Sequence, residues 1–167
     1  KCGLPPDCLC SRETLEMASS HETAALHASL LPRGSRIVDC CSGIGADTFR
    51  FAEHSEPLCI EADPVTARMC RHNLHLARAS GAVFIGRAET WLPVLQASAD
   101  AIFADPARRD DARRIVNPED ASPPLSCFLS IAPAVPLLIK AAPAAKVDTA
   151  SWNRAFISSG RECKEQL

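Results

Sequence analysis

The stretch IVDCCSGIGADTFRF, residues 37–51, decides the predicted fold of this chain. An apolar run ends in the acid Asp39, and the chain then passes through Gly43 and Gly45 and resumes with apolar residues at helical spacing. This order predicts a strand, a glycine turn and the start of a helix, with Asp47 as the expected N-cap. The two glycines can adopt positive φ angles and let a ligand approach the backbone without a Cβ atom in the way. Because ligands of open α/β sheets bind at the carboxyl ends of parallel strands, this turn is the first candidate site.

The spacing of the glycines indicates the kind of ligand. A dinucleotide-binding turn has the pattern G-x-G-x-x-G or G-x-G-x-x-A, whereas this chain has Thr48 at the third small position. Asp39 precedes the glycines, and a carboxylate at this place repels phosphate groups but attracts a cation. The pattern therefore favours S-adenosylmethionine, which carries a sulfonium and an ammonium group. A tight turn with a purely structural role is the alternative.

A second segment, PLCIEADP at residues 57–64, has the pattern of another buried strand that ends in acids. An acid at the end of the second strand typically holds a pair of ribose hydroxyls. Glu61 is placed for this role, and Asp63 is the less favoured candidate. Asp63 with Pro64 is also typical of a helix start, so a predicted helix follows over residues 64–79. The two roles are compatible, because the two carboxylates point in different directions along an extended segment.

A third segment, ADAIFADPARR at residues 99–109, predicts a fourth strand that ends in Asp105 and Pro106. The Asp105 carboxylate and the carbonyls beside Pro106 are suited to accept the hydrogens of a substrate amino group. For an oxygen or carbon nucleophile, the same carboxylate is suited to act as a general base. The alternative is that the Asp-Pro pair only terminates the strand.

Together, these segments resemble the class I S-adenosylmethionine-dependent methyltransferases. The matching stretches are DCCSGIGADTFRFA (39–52), CIEADPVTARMCRHN (59–73) and DAIFADPARR (100–109), and the resemblance runs from about Leu15 to the C-terminus. It is nearest to the trimethylguanosine synthase-like branch and to its bacterial relatives with a THUMP-like domain. The resemblance implies an α/β fold with a doubly wound, mostly parallel, Rossmann-like sheet. It also implies S-adenosylmethionine as the cofactor and an amino group of RNA as the methyl acceptor.

The resemblance assigns the site residues. The implied catalytic residues are Asp105 and Pro106, and the implied cofactor-binding residues are Asp39, Cys41, Gly43, Gly45, Asp47, Glu61, Ala62 and Glu89. Two positions depart from the family pattern. The motif after the fourth strand continues with Ala107 and Arg108, where amino-directed relatives have proline and an aromatic residue that stacks on a base. An acid that contacts adenine is replaced by Arg87, and Glu89 is expected to substitute for it.

A dense basic cluster follows the fourth strand. Arg108 and Arg109 are the predicted substrate-binding residues, and Arg113 and Arg114 extend the cluster toward phosphate contacts with RNA. Acids are interspersed in the same segment, so a solvated mixed-charge surface is the alternative. The net charge of −2 predicts no broad nucleic-acid footprint, so RNA binding would depend on this local patch or on a further domain.

The ends of the chain suggest its organisation. Residues 1–34 are predicted to be a helical segment that covers the cofactor site in the family, with Ser20 near a helix cap. Residues 35–167 are predicted to form the methyltransferase core. Residues 155–167 have the pattern of the final antiparallel hairpin, which is expected to be incomplete at Leu167. We expect the full-length protein to continue into a further C-terminal domain.

The composition sets the remaining expectations. With 47% hydrophobic and 23% charged residues, the chain is expected to form one globular core, without a membrane-spanning segment and in the cytoplasm. The nine scattered cysteines favour free thiols in a reducing compartment, and no metal site is predicted. His72 and His75 share one side of a helix, where a polar surface is favoured over a metal site. Lys140 follows a predicted fifth strand over residues 135–140; a solvated position is favoured over contact with substrate.

Three other functions stay open from the sequence. They are a methyltransferase for a small molecule or a protein, a non-catalytic module that binds S-adenosylmethionine, and, more distantly, a nicotinamide-dependent oxidoreductase.

Overall fold

The computed structural model describes residues 2–107, 109–110, 113–114, 117–130, 135–147, 153–159 and 162–167. Its α-helices are α1 (Arg12–Met17), α2 (His21–Ser29), α3 (Ala46–Phe51), α4 (Pro64–Leu76), α5 (Ala88–Leu95) and α6 (Leu125–Leu129). Its strands are β1 (Arg36–Cys40), β2 (Glu56–Glu61), β3 (Ala82–Ile85), β4 (Ala101–Ala104), β5 (Arg109–Asp110), β6 (Arg113–Arg114), β7 (Leu137–Ile139), β8 (Phe156–Ser159) and β9 (Glu162–Gln166). Short 3-10 turns cover Gln96–Ser98 and Pro118–Asp120.

Five strands form one parallel sheet in the order β3-β2-β1-β4-β7. The strand order reverses beside β1, and the first crossovers run through α3, α4 and α5. This is the predicted doubly wound α/β sheet, which is confirmed. Ligands of such sheets bind where the order reverses, at the carboxyl ends of the strands.

The core has one layer on each face of the sheet. Val38, Ile60 and Ile102 face one layer, where they pack with Leu92 of α5 and Phe128 of α6. The opposite face carries two further buried clusters, which consist of Leu31, Ile37, Phe51, Ala101 and Phe103 beside α2 and α3, and of Cys59, Cys70 and Leu74 beside α4. Burial on both faces explains why the strand sequences are continuously apolar rather than alternating.

Two predicted elements are shorter than expected. The helix predicted over residues 64–79 ends at Leu76, and Ala77 is its C-cap. The strand predicted over residues 135–140 is paired only at Leu137–Ile139. Pro136 has no N–H to donate to a ladder, although its carbonyl accepts the N–H of Ile102 at 2.9 Å. The paired part of β7 therefore starts after this proline.

The predicted C-terminal hairpin is present as the antiparallel pair β8 and β9. It joins the main sheet beside β7, because Ala141 and Gln166 form an isolated antiparallel bridge. The buried side chain of Gln166 strengthens this junction, since its Nε2 atom donates to the carbonyls of Ala142 (2.7 Å) and Ala145 (2.8 Å). The hairpin is thereby fixed next to the last parallel strand.

The N-terminal segment forms two capped helices. Ser20 caps α2 by accepting the backbone N–H of Thr23 at 3.2 Å, as the sequence predicted. The segment before α1 is attached to α4 by Asn73, whose amide accepts from the N–H of Leu9 (2.7 Å) and donates to its carbonyl (3.0 Å). Asn73 also donates to the carbonyl of Ile44 in the glycine turn, at 2.9 Å. One buried amide therefore joins the N-terminal segment to this turn.

Two broader expectations concern the whole chain. The nine cysteines are free thiols, and Cys40, Cys59 and Cys70 lie in the core as small apolar residues. Among the described residues, no helix has both the length and the apolar character that crossing a bilayer requires.

Candidate active site

The carboxyl ends of four strands form one continuous edge. The backbone N–H of Cys41 bonds to β2 at 2.9 Å, that of Asp105 bonds to β1 at 3.1 Å, and that of Lys140 bonds to β4 at 2.8 Å. Each of these residues directly follows its strand, so their side chains start from neighbouring positions. The edge brings together the predicted cofactor segment and the predicted catalytic segment.

The glycine turn leaves open space above the backbone. Gly43 has φ +56°, and a Cβ atom built on it would meet no other atom within 4 Å. Gly45 has φ +87° and is itself the N-cap of α3, without a side-chain cap. The prediction that Asp47 is the N-cap is therefore wrong. Asp47 lies inside the first turn, and its side chain is directed to other partners.

Glu61 fixes the turn to the end of β2. Its Oε2 atom accepts the backbone N–H of Gly43 at 2.9 Å, and its Oε1 atom accepts that of Asp63 at 2.9 Å. Asp63 caps α4 by accepting from the backbone N–H of Thr66 at 2.7 Å, as predicted, and its hydrogen bonds with Thr66 lower the pKa of its carboxyl. Ala62 lies exposed between the two acids. Glu61 is thus the acid that faces the glycine turn.

Asp39 is a buried acid in β1, the strand that leads into the same turn. Its Oδ2 atom accepts a hydrogen bond from the Thr48 hydroxyl, and its Oδ1 atom is buried without a partner among the described residues. Burial raises the pKa of the Asp39 carboxyl well above its ordinary value, and the charges of Asp47 and Asp105 add to the effect. An unpaired buried oxygen is costly, so this position favours a hydrogen-bond donor or a cation nearby.

Glu89 lies in the first turn of α5, shortly after the end of β3. Its carboxylate pairs with Arg87 at 2.8 Å, and this hydrogen bond lowers the pKa of Glu89. The contact of Glu89 with adenine stays a prediction, as do the cofactor contacts of Cys41, Ala62 and Asp47.

A buried ion cluster lies beside Asp105, and the sequence did not predict it. The Lys140 side chain is 1% exposed, and its ammonium group donates to Asp105 Oδ2 at 2.6 Å and to Ser19 Oγ at 2.8 Å. The carboxylates of Glu165 (3.5 Å) and Asp47 (3.9 Å) also lie close to this ammonium group. The preference for a solvated Lys140 is therefore wrong, because the N-terminal segment and the hairpin cover it.

His27 forms the other half of this cluster. The buried imidazole bonds to Asp47 Oδ1 through Nδ1 at 2.7 Å and to Glu165 Oε1 through Nε2 at 2.5 Å. Burial lowers the pKa of His27, but the hydrogen bonds and charges of the two acids outweigh this effect and raise it to about 9. The pKa of Asp47 is lowered: burial raises it, but the charge of Lys140 and the bond to His27 dominate. His27 is therefore a buried imidazolium at neutral pH.

The segment after Asp105 leads to the predicted substrate-binding residues. Pro106 is buried, and Ala107 bridges to Ser122 in the turn-rich loop before α6. Arg109 lies in β5, opposite Arg114 of β6. Arg108 lies outside the described residues, and the roles of Arg108 and Arg109 stay predictions.

The residues at this edge fit the predicted cofactor. The turn at Gly43 has room for a ligand atom close to the backbone, and the Glu61 carboxylate lies beside this turn. Asp39, in the strand before the turn, has a buried oxygen without a partner in the described part of the chain. These groups match a ligand with hydroxyl donors and a positive charge better than one with a pyrophosphate.

Comparisons with known proteins support the fold. No family model and no curated protein matches the chain. Among solved structures, it is similar to a proposed methyltransferase from Porphyromonas gingivalis W83, with 24% identity and a TM-score of 0.76 over 93% of this chain and 41% of that one. This chain spans about two fifths of the length of the P. gingivalis protein. The fold is that of the Rossmann-like methyltransferases.

Two further structures with this methyltransferase fold differ in what they are described to act on. A proposed RNA methyltransferase from Pyrococcus horikoshii has 19% identity and a TM-score of 0.53, over 73% of this chain and 58% of that one. A precorrin-6y C5,15-methyltransferase from Geobacter metallireducens GS-15 has 13% identity and a TM-score of 0.61, over 81% of this chain and 68% of that one. The trimethylguanosine synthase-like or THUMP-like branch is not distinguished by these similarities.

Proposed function

We propose that this chain is an S-adenosylmethionine-dependent methyltransferase that acts on an amino group of RNA. One observation carries the proposal: the Asp105 carboxylate, 22% exposed, follows β4 directly beside β1, whose glycine turn is fixed by Glu61. A cofactor held at the turn would thus lie next to a partly accessible acid. The methyltransferase fold of the similar structures supports this assignment.

The cofactor-binding part of the proposal rests on three residues. When bound, S-adenosylmethionine supplies a methyl group on a sulfonium centre. We assign Gly43 to close backbone approach, Glu61 to the ribose hydroxyls and Asp39 to the positive charge of the ligand. The Glu61 carboxylate now accepts hydrogen bonds from the backbone N–H groups of Gly43 and Asp63. When the ribose binds, its hydroxyls would either replace these donors or share the carboxylate oxygens with them.

Asp105 is assigned to orient the acceptor. Its carboxylate would accept the hydrogens of an amino group and aim the nitrogen lone pair at the methyl carbon. On formation of the nitrogen–carbon bond, the carbon–sulfur bond would break and sulfur would keep its electron pair. The Asp105 carboxylate would stabilise the positive charge that the nitrogen gains, and the nitrogen would then lose a proton to this carboxylate or to water.

RNA is the favoured acceptor because of the segment that follows Asp105. Arg109 and Arg114 lie opposite each other in β5 and β6, only a few residues after the proposed catalytic acid. Arginines beside the reacting centre are suited to hold phosphates and to set the register of a nucleic acid. The similarity to the proposed RNA methyltransferase from P. horikoshii agrees with this choice.

A small-molecule acceptor is the second candidate. The sequence has Ala107 where amino-directed relatives would place a further proline before their aromatic residue, and the precorrin methyltransferase from G. metallireducens shares the fold. A small acceptor would not need stacking on an aromatic side chain. This candidate predicts methyl transfer that is insensitive to the basic cluster.

The test is transfer of a tritiated methyl group from S-adenosylmethionine to unfractionated cellular RNA, protein or small molecules. We expect label in RNA, and a large but measurable decrease in the rate of labelling in Asp105→Asn, whose amide oxygen can still accept one amino hydrogen. The matched control is Asp100→Asn, at the opposite end of β4, where Asp100 accepts the backbone N–H of Arg36 at 2.7 Å. Label in the small-molecule fraction would support the second candidate. Full activity of Asp105→Asn would contradict the role of Asp105.

A further inference from the structure

We propose that Lys140 is a positioning residue for methyl transfer, which acts by holding the Asp105 carboxylate in its orientation toward the acceptor. The inference rests on the proposed function, and it adds a residue that the sequence favoured as solvated. It is carried by the burial of Lys140, by its short contact with Asp105, and by the way in which two distant segments hold the ammonium group in place.

The backbone sets the starting point of the Lys140 side chain. Lys140 follows β7, and its N–H bonds to the carbonyl of Ala104 at 2.8 Å, one residue before Asp105. The two side chains therefore leave adjacent strands at the same level of the sheet edge. The ammonium group meets Asp105 Oδ2 at 2.6 Å, a charge-assisted bond of short length.

The surroundings of the ammonium group restrict its movement. It donates to the Ser19 hydroxyl at 2.8 Å, and this hydroxyl donates in turn to Asp47 Oδ2 at 2.6 Å. On the hairpin side, the Glu165 carboxylate lies 3.5 Å away and is also held by His27. Ser19, Asp47 and Glu165 are thus each bonded to a further group, so the ammonium position is determined from several directions.

Lys140 and Asp105 differ in how far they are buried, and we infer their roles from this difference. Lys140 is 1% exposed, whereas Asp105 is 22% exposed. A substrate can therefore reach the carboxylate but not the ammonium group. Lys140 acts through Asp105, as a support from behind, and is not itself in contact with the reacting atoms.

Charge gives a second reason for this support. Without Lys140, Asp105 would share a poorly hydrated region with Asp47 and Glu165, and like charges in such a region repel one another strongly. The expected response is rotation of the most accessible carboxylate, Asp105, away from the cluster. A displacement of about 1 Å at an orienting group can lower the rate roughly a hundredfold.

The test is a double-mutant cycle of Lys140→Met and Asp105→Asn. The measured quantities are the single-turnover rate of methyl transfer to saturating cellular RNA and the dissociation constant of S-adenosylhomocysteine. We expect Lys140→Met to lower the rate about 10- to 100-fold, while the dissociation constant changes by less than about threefold. Lys146→Met, at an exposed lysine, is the matched control and should retain the wild-type rate.

The cycle separates positioning from a general effect. If Lys140 acts through Asp105, the double variant should be no slower than Asp105→Asn alone. The proposal would be overturned if the rate decrease of the double variant equalled the product of the decreases in the two single variants. It would also be overturned by a wild-type rate in Lys140→Met. If Lys140→Met does not fold, Ser19→Ala replaces it, because this change removes one hydrogen bond from the ammonium group and keeps the charges. The same non-additivity with Asp105→Asn is then expected, and its absence overturns the proposal.

Failure of the proposed function has a different signature. In that case, the wild-type protein transfers no methyl group to any acceptor fraction, whether or not it binds S-adenosylhomocysteine. The positioning role would fall with it. If the wild-type protein is active but the rate decreases of the two single variants multiply in the double variant, the methyltransferase assignment stands and only the role of Lys140 is wrong.

Discussion

The Oε2 atom of Glu61 accepts the backbone N–H of Gly43 at 2.9 Å, which joins the end of β2 to the glycine turn after β1. Both residues were predicted from the sequence to bind the cofactor, from two segments separated by the whole of α3. Their contact places the predicted ribose acid directly beside the open space at the turn. Glu61 therefore shapes the glycine turn, in addition to its proposed contact with the ribose.

Replacing Glu61 should weaken binding of S-adenosylhomocysteine. Glu61→Gln keeps the shape but removes the charge and one of the two acceptor oxygens, and a hydrogen bond to a charged group contributes about 1.5–3 kcal/mol. We expect the dissociation constant to rise about 10- to 100-fold in calorimetric titration. Asp63→Asn is the matched control, because asparagine also caps helices. Equal losses in both variants would contradict the preference for Glu61 over Asp63.

The two turn glycines should respond differently to alanine. Gly43→Ala places a methyl group in open space at φ +56°, so it should cost about 1–2 kcal/mol of stability and strongly reduce binding of S-adenosylhomocysteine. Gly45→Ala also brings the methyl group to 3.1 Å from the Cys70 sulfur, so it should be more destabilising. Urea unfolding and calorimetric titration measure the two effects. Unchanged binding by a folded Gly43→Ala variant would show that no ligand approaches this turn.

His27 should make the stability depend on pH in the alkaline range. Its folded pKa of about 9 lies above the ordinary value of 6.5, so its contribution is complete below about pH 6.5 and is lost as the pH rises through about 9. The difference in unfolding free energy between the wild type and His27→Gln should therefore narrow by about 3 kcal/mol across this range. Denaturant unfolding at a series of pH values measures it. Because the cysteine thiols titrate in both proteins, their contribution cancels in the difference in unfolding free energy between the wild type and His27→Gln.

The control for the pH series is His75→Gln, at an exposed position of α4. It should follow the wild-type curve at every pH. A wild-type advantage over His27→Gln that stays constant with pH would mean that His27 is not a buried cation between Asp47 and Glu165.

Asn73 should be critical for the attachment of the N-terminal segment. Asn73→Ala removes three hydrogen bonds and leaves backbone groups of Leu9 and Ile44 without these partners, at a cost of about 2 kcal/mol or more. We expect lower stability in urea and faster proteolytic cleavage before α1. His75→Ala, on the same helix but exposed, should change neither. Slow cleavage of a destabilised Asn73→Ala variant would show that other contacts hold the segment.

The sequence was most informative where its signals are local. The strand, turn and helix of residues 37–51 are neighbours in the chain, and glycine permits the positive φ angles found at Gly43 and Gly45. The Asp63 cap and the position of Asp105 after β4 are local in the same sense. The error at Asp47 arose because a good capping residue lay two positions inside the helix, where a buried imidazole gave its carboxylate a stronger partner.

The ion cluster could not be found in this way. Lys140 is 121 residues from Ser19, and His27 is 138 residues from Glu165. A lysine after a strand gives no sign of being buried until the N-terminal segment and the hairpin are both in place. His27 carried a weak signal, as a histidine on the apolar side of a short helix, but nothing in the sequence identified its two acidic partners.

The central claim is tested most directly by calorimetric titration of this chain with S-adenosylhomocysteine, and separately with NAD. We predict micromolar binding of S-adenosylhomocysteine, loss of that binding in Asp39→Ala and Glu61→Ala, and no binding of NAD. A folded protein that binds NAD instead, or that binds neither ligand, would contradict the assignment of this edge as an S-adenosylmethionine site.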